Sequence, residues 1–318
     1  MFPDLHAEQI MIAALGECMI EISERGGVLR PGYGGDTLNT LIYLARLLPQ
    51  RKGSLHYISG LGKDPFSDQM VKSWSQEGIN TALVRRIGGR LPGLYYIRTD
   101  AGGERRFDYW RGQSAARCIL SSEFSNKLIR RLEGCELFYC SGISLGILPG
   151  AGRRRLIELV AALKGRGTRI VFDSNYRAPL WKSEAEARTF VQQIHAVSDI
   201  ALVTFGDERQ LFGDLDPGQT CRRLANLGVV EIVVKNGVEP CTVNIDGERE
   251  IHPLLIKVKP VDTTAAGDAF NAAYLAARLQ HLSTRASVTA GNHLASLVVQ
   301  FPGALMPMEK TPLLEDLV

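Results

Sequence analysis

Short apolar runs recur along the chain, separated by longer stretches in which apolar positions return every three or four residues. The runs at 11–15, 55–59, 94–99, 137–140, 169–172, 200–203, 231–235 and 241–245 predict strands. Between them, 36–48, 150–164, 184–197 and 220–227 read as helices. In the first of these, Leu38, Leu41, Ile42, Ala45 and Leu48 share one face behind an Asp/Thr cap. A further stretch, 267–279, is rich in Ala and Leu and nearly free of charge until Arg278, so it predicts a buried helix. Strand–helix alternation of this kind implies an α/β fold with a mostly parallel sheet and helices on both faces.

Two regions break the alternation. Residues 18–32 are charged, glycine-containing and weakly period-two, and 90–111 carry two β-like runs around a turn at 100–103. Both predict antiparallel strands outside the main sheet, and on residues alone an ordinary edge hairpin fits them equally well.

Composition narrows the function classes. The chain has 318 residues, 45% apolar and 22% charged, with a net charge of +3, too small to argue for nucleic acid. Its Arg pairs are scattered, and the densest basic run, Arg153–Arg155, reads as a solvated helix face. Six cysteines without metal-type pairing read as buried free thiols. Residues 1–9 lack the pattern of a signal peptide and no run is long enough to span a membrane, so a cytoplasmic protein is expected.

The most informative chemistry lies at Asp262-Thr-Thr-Ala-Ala-Gly-Asp268-Ala-Phe270. Ala265, Ala266 and Gly267 carry little side chain over a helix start, where unpaired N–H groups and the positive end of the dipole suit an anion such as a phosphoryl group. Asp268 then stands in the first turn, placed to take a proton from an attacking hydroxyl; alone, it would pass for an acid complementing the dipole. Near the other end, Gly34-Gly35-Asp36-Thr-Leu-Asn39 opens a helix with an acceptor and a donor at fixed separation, as a sugar hydroxyl requires, although a capped helix after a glycine turn is also consistent. Phe172-Asp-Ser-Asn175-Tyr-Arg177 follows a strand, where open α/β sheets bind ligands. With Arg111 it offers two guanidinium groups for a carboxylate or phosphate, or two surface ion pairs.

Together these segments resemble the signatures of the ribokinase-like (PfkB) carbohydrate kinases, with Gly60-Leu-Gly62-Lys-Asp64-Pro-Phe66 as a further match, and the resemblance covers nearly the whole chain. It implies a single three-layer α/β/α domain over 1–318. A small β-lid, from about 18–33 and 90–113, would cover the sugar and serve a homodimer or larger oligomer. It also implies Asp268 as catalytic base and Ala265, Ala266 and Gly267 as the anion hole. Gly16-Glu-Cys-Met-Ile-Glu21, Leu91-Pro-Gly-Leu-Tyr95, Tyr109-Trp-Arg111 and Asn175-Tyr-Arg177 narrow the likeness to the branch that phosphorylates the 6-hydroxyl of 2-keto-3-deoxygluconate. On that resemblance Gly34, Gly35, Asp36, Asn39, Tyr95, Tyr109, Arg111, Arg177 and Asp268 bind the substrate, with the arginines at its carboxylate.

For ATP the resemblance implies Asn175, Glu208, Lys235, Gly237, Ala266, Gly267 and Asn292. Pro240 stands where a second glycine is common, and Phe205 where the family's Asn-x-x-Glu motif has Asn. No protein ligand for Mg²⁺ is assigned; nucleotide phosphates and water suffice for it. A neutral-sugar or nucleoside kinase and a non-catalytic sugar sensor remain alternatives. A dinucleotide-dependent oxidoreductase is disfavoured, since only one glycine follows the first strand.

Overall fold

The computed structural model describes residues 11–25, 28–99, 105–254 and 256–318. The turn expected at 100–103 and the reading of 1–9 lie outside them. The centre is an eight-stranded sheet in the order Glu248–His252, Cys241–Ile245, Glu231–Lys235, Ile200–Thr204, Arg169–Asp173, Leu137–Ser141, Ile12–Leu15, Leu55–Ile58. The last six run parallel, and the first two complete the sheet as an antiparallel edge. Continuous apolar runs make the parallel strands because helices cover both of their faces. Along Ile12–Leu15, Ile12 and Ala14 enter one apolar cluster while Ala13 and Leu15 enter the other. Glu248–His252 was not predicted: it is a solvent-facing edge of charged residues, with no apolar run to mark it.

The helix Asp36–Leu47 is buried at every position but Arg46, because the sheet lies on one side and the helix Ala266–Leu279 on the other. Alanines at 269, 272, 273, 276 and 277, all fully buried, let these two helices approach closely. Each helix opens on the same end of the sheet, and Thr40 Oγ1 donates to the Asp268 carbonyl at 3.3 Å. The expected Asp/Thr cap is not found. Gly35 is the N-cap residue without a side-chain cap, since the Asp36 carboxylate is turned to Asn175 instead.

The two irregular regions form a separate four-stranded sheet, Val28–Gly34, Met19–Arg25, Leu94–Thr99, Arg105–Trp110. Its outer pairs are antiparallel as expected, but Met19–Arg25 and Leu94–Thr99 run parallel, with Ile20 opposite Leu94. This corrects the wholly antiparallel reading: each hairpin is locally antiparallel, but the two join through strands that run the same way. Phe107 and Tyr109 stack along one strand, and the Tyr95 ring lies tilted against them from the neighbouring strand, its centre 5.9 Å from that of Tyr109. Arg153 also departs from expectation. It is buried, pairs with Glu186 at 2.9 Å and lies 4.5 Å from the centre of the Trp181 ring, so only its neighbours form a solvated face.

All six cysteines are free thiols, five of them buried. Among the described residues no helix is long and apolar enough to cross a membrane.

Candidate active site

A cavity of about 710 Å³ lies between the lid sheet and the C-terminal edge of the main sheet. Strand ends reach it as Asp173, Thr204 and Lys235, and the two helix starts reach it as Asp36, Asn39 and Asp268. The lid contributes Tyr95, Tyr109 and Arg111. Asn175, Arg177 and the Ala265–Gly267 turn complete the wall, so residues from six separate segments of sequence meet in one place.

Ala265 adopts the left-handed conformation, with φ 61° and ψ 12°, at a cost of about 1–2 kcal/mol for a residue with a Cβ. The turn leaves the amides of Gly267 and Asp268 without a backbone acceptor among the described residues. Helix geometry requires such orphans at its first turn, and here they face a cavity rather than a capping side chain. A Cβ on Gly267 would stand 3.7 Å from Lys235 Nζ, so an ammonium borders the same site.

Asp268 is buried, and its Oδ2 accepts from Asn39 Nδ2 at 2.9 Å, while Oδ1 has no partner among the described residues. Burial, followed by the negative charge of Asp36, pushes its carboxyl up to about 8; Asp173 adds to this, while Asn39 and Lys235 oppose it. Asp36 is likewise held above its ordinary range by burial, against hydrogen bonds that include Asn175 Nδ2 at 2.8 Å. Asp36 Oδ1 and Asn39 Oδ1 are buried acceptors with no donor among the described residues. Buried acceptors of this kind are costly unless a donor reaches them, and hydroxyl groups are suitable donors.

The glycines before this helix answer to packing. A Cβ on Gly34 would collide with the Tyr95 hydroxyl, and one on Gly35 with the Glu17 carbonyl. Both line the cavity, and the close approach they permit is to the Tyr95 side chain and to the Glu17–Cys18 backbone.

The two arginines differ. Arg111 donates through Nε, at 2.8 Å, and Nη2 to the fully buried Glu17 carboxylate, which also accepts from Ser114. Its charge is therefore largely compensated within the lid. Arg177 is half exposed, lies 3.5 Å from Asp207 and spends one N–H on the Tyr176 carbonyl, leaving most of its guanidinium open. Tyr95 donates to Glu21, and burial together with that carboxylate pushes its phenol well up, so it stays protonated.

Three expected residues are not brought to the cavity. Glu208 is fully buried and binds Arg223 at 2.5 Å, on the helix face turned away from the site. Its neighbour Asp207 faces the cavity instead and accepts from the Tyr176 amide at 3.2 Å. Gly237 supplies a positive-φ turn beyond the Lys235 strand, and Asn292 is only partly buried outside the cavity lining. Glu17, Asp173 and Asp207 were not singled out by sequence reasoning. Asp173 and Asp207 sit at or just after strand ends, the position that marks ligand contacts in open α/β sheets. No cluster of three or more His, Cys, Asp or Glu able to hold a metal occurs among the described residues.

The arrangement has a defined chemistry. A carboxylate of raised basicity, two free amides and an ammonium surround a space that offers acceptors to hydroxyl groups. Such a site can remove a proton from an alcohol and stabilise an anion beside it.

Known proteins resemble this chain in sequence and in fold. A 2-dehydro-3-deoxygluconokinase from Dickeya dadantii is 43% identical over 304 residues, covering 95% of this chain and 98% of that one. Among solved structures, the 2-dehydro-3-deoxygluconokinase of Thermotoga maritima superposes with a TM-score of 0.83 at 19% identity, covering 97% of this chain and 98% of that one. A Xylella fastidiosa fructokinase with bound ATP gives 0.83 at 20% identity, covering 97% of each chain. These two share the fold. A model of the pfkB family carbohydrate kinases matches residues 9–311, and the chain belongs to that family.

Proposed function

We propose that this chain transfers the γ-phosphoryl group of ATP to the 6-hydroxyl of 2-keto-3-deoxygluconate. The observation that carries the reading is the unpartnered Oδ1 of buried Asp268, set in one cavity with the free Gly267 and Asp268 amides and Lys235. The substrate is supported by the names of the 43% identical relatives and by Arg177, whose guanidinium is largely open, whereas Arg111 and Lys235 in the same cavity are each paired with a buried carboxylate.

In the proposed reaction Asp36 and Asn39 accept hydrogen bonds from sugar hydroxyls and hold the sugar against Asp268. Asp268 takes the proton of the 6-hydroxyl as that oxygen bonds to the γ-phosphorus. The bond from phosphorus to the bridging oxygen breaks, and ADP leaves. The Gly267 and Asp268 amides and the Lys235 ammonium stabilise charge on the phosphoryl oxygens. Mg²⁺, held by nucleotide phosphates and water, would neutralise the leaving diphosphate.

ADP release measured across acidic and neutral sugars tests the reading. Turnover with the sugar acid and little with fructose or ribose is expected, and the reverse order would assign a neutral-sugar kinase.

The arginines give a finer prediction. Arg177→Ala removes hydrogen bonds to a charged group, worth about 1.5–3 kcal/mol, or roughly 10- to 150-fold in kcat/KM. The loss is expected for the sugar acid and not for the analogue whose carboxylate is reduced to an alcohol. Arg111→Ala should depress both, because it strands the buried Glu17 carboxylate and disturbs the lid. Equal losses for both substrates in Arg177→Ala would remove that residue from the carboxylate site.

A further inference from the structure

Asp173 ends the strand Arg169–Asp173, is buried, and spends both of its oxygens on parts of the site. Oδ1 accepts the Asn175 amide at 3.1 Å. This fixes a turn in which Asn175 has a positive φ of 29° and its side chain donates to Asp36 at 2.8 Å. Oδ2 accepts from Asn271 Nδ2 at 2.6 Å and from Lys235 Nζ at 3.2 Å. Lys235 Nζ donates in turn to Asn271 Oδ1 at 2.8 Å, and Tyr139 accepts the second Asn271 proton at 3.1 Å. The result is a closed triangle of Asp173, Asn271 and Lys235 beneath the cavity.

Electrostatics makes this triangle informative. Three carboxylates, Asp36, Asp173 and Asp268, compete for one buried ammonium, and only Asp173 pairs with it. A direct bond from Lys235 to Asp268 would stabilise the ionised form and abolish the basicity that proton removal needs. We propose that Asp173, with Asn271, is a positioning residue. It retains Lys235 beside the Gly267 amide and away from Asp268, while its other oxygen sets the Asn175–Asp36 arm on the sugar side. The proposal rests on the kinase reading of this site.

The groups facing Asp268 are Asp36, Asn39 and Tyr43 from the helix Asp36–Leu47, Tyr139 from Leu137–Ser141, Asp173 from its strand and Lys235 from Glu231–Lys235. Two variants move the Asp268 titration in opposite directions. Asp173→Asn removes a negative charge and places an amide donor against Lys235, freeing the ammonium toward Asp268, so the carboxyl should titrate lower by about one pH unit. Lys235→Met removes the positive charge, so it should titrate higher by about as much.

The titration is read in the unliganded protein, as the carboxyl band absent from Asp268→Asn in infrared difference spectra. The acid limb of kcat/KM is measured alongside. With the triangle in its proposed role, band and limb shift together, downward for Asp173→Asn and upward for Lys235→Met, and kcat falls at least about tenfold in each. Should Asp173→Asn not fold, Asn271→Ala loosens the same ammonium without changing formal charge, and a smaller downward shift is expected. A reduced melting temperature or kcat with an unmoved Asp268 band would overturn the proposal and leave Asp173 a structural residue. Absence of sugar-acid turnover in the wild-type protein would instead overturn the functional reading, and the band shifts would still decide the positioning role.

Discussion

Asp268→Asn should lower kcat by about 10²–10⁴-fold while ATP still binds. Asn is nearly isosteric, and its side-chain oxygen can still accept from Asn39 Nδ2, so what is lost is the proton acceptor. The wild-type pH profile carries the same signature. With the carboxyl pushed up to about 8, kcat/KM should rise with pH through that region, because only the ionised form removes a proton. The acid limb should vanish in Asp268→Asn. Stability should move the other way. A folded-state value raised above the ordinary carboxylate range means that protonation favours the folded state. This contribution is fully present at low pH and is lost as pH rises through about 8. At pH 8 or above, Asp268→Asn, which buries no charge, should therefore melt no lower than wild type. Activity near wild type would remove Asp268 from the mechanism, and lower activity with a markedly lower melting temperature would make its role structural.

How much of this was legible in the sequence depended on whether a signal was local. The parallel strands announced themselves because burial on both faces demands continuous apolar runs, as in Ile200–Thr204 and Glu231–Lys235. The two helix starts were visible because glycine and alanine occur where backbone must be left open. What depended on partners was not visible. Glu208 carries the right residue type, but helix phase turns it to Arg223, and Asp207, one position earlier, reaches the cavity. Arg111 alone fits either a ligand contact or a surface ion pair, and only the fold reveals its partner as the buried Glu17. At Gly34 and Gly35 the sequence does not show which neighbour comes close: the Tyr95 side chain and the Glu17–Cys18 backbone occupy the space their Cβ atoms would need. Asp173 pairs with residues 62 and 98 positions away in sequence, and no local pattern encodes that triangle.

Gly267→Val should fold and bind sugar but lose about 10²–10³-fold in kcat. At Gly267 a new Cβ meets only Lys235 Nζ, at 3.7 Å, which is ordinary contact, and the backbone there is helical, so the empty protein has room for the side chain. The two valine methyl groups would then fill the space between the Gly267 and Asp268 amides and the Lys235 ammonium, where the phosphoryl oxygens are proposed to sit. Removing one oxyanion donor costs about 2.7–4 kcal/mol in comparable sites, and blocking access to the amides has a similar effect. The loss should fall on kcat more than on the KM for the sugar, whose partners at Asp36 and Asn39 are untouched. Gly267→Ala, with a single methyl group, should lie between the two. A folded Gly267→Val protein with wild-type kcat would place the transferring phosphoryl group elsewhere in the cavity. Loss of sugar binding with kcat unchanged would show that the valine acts by closing the cavity to the sugar.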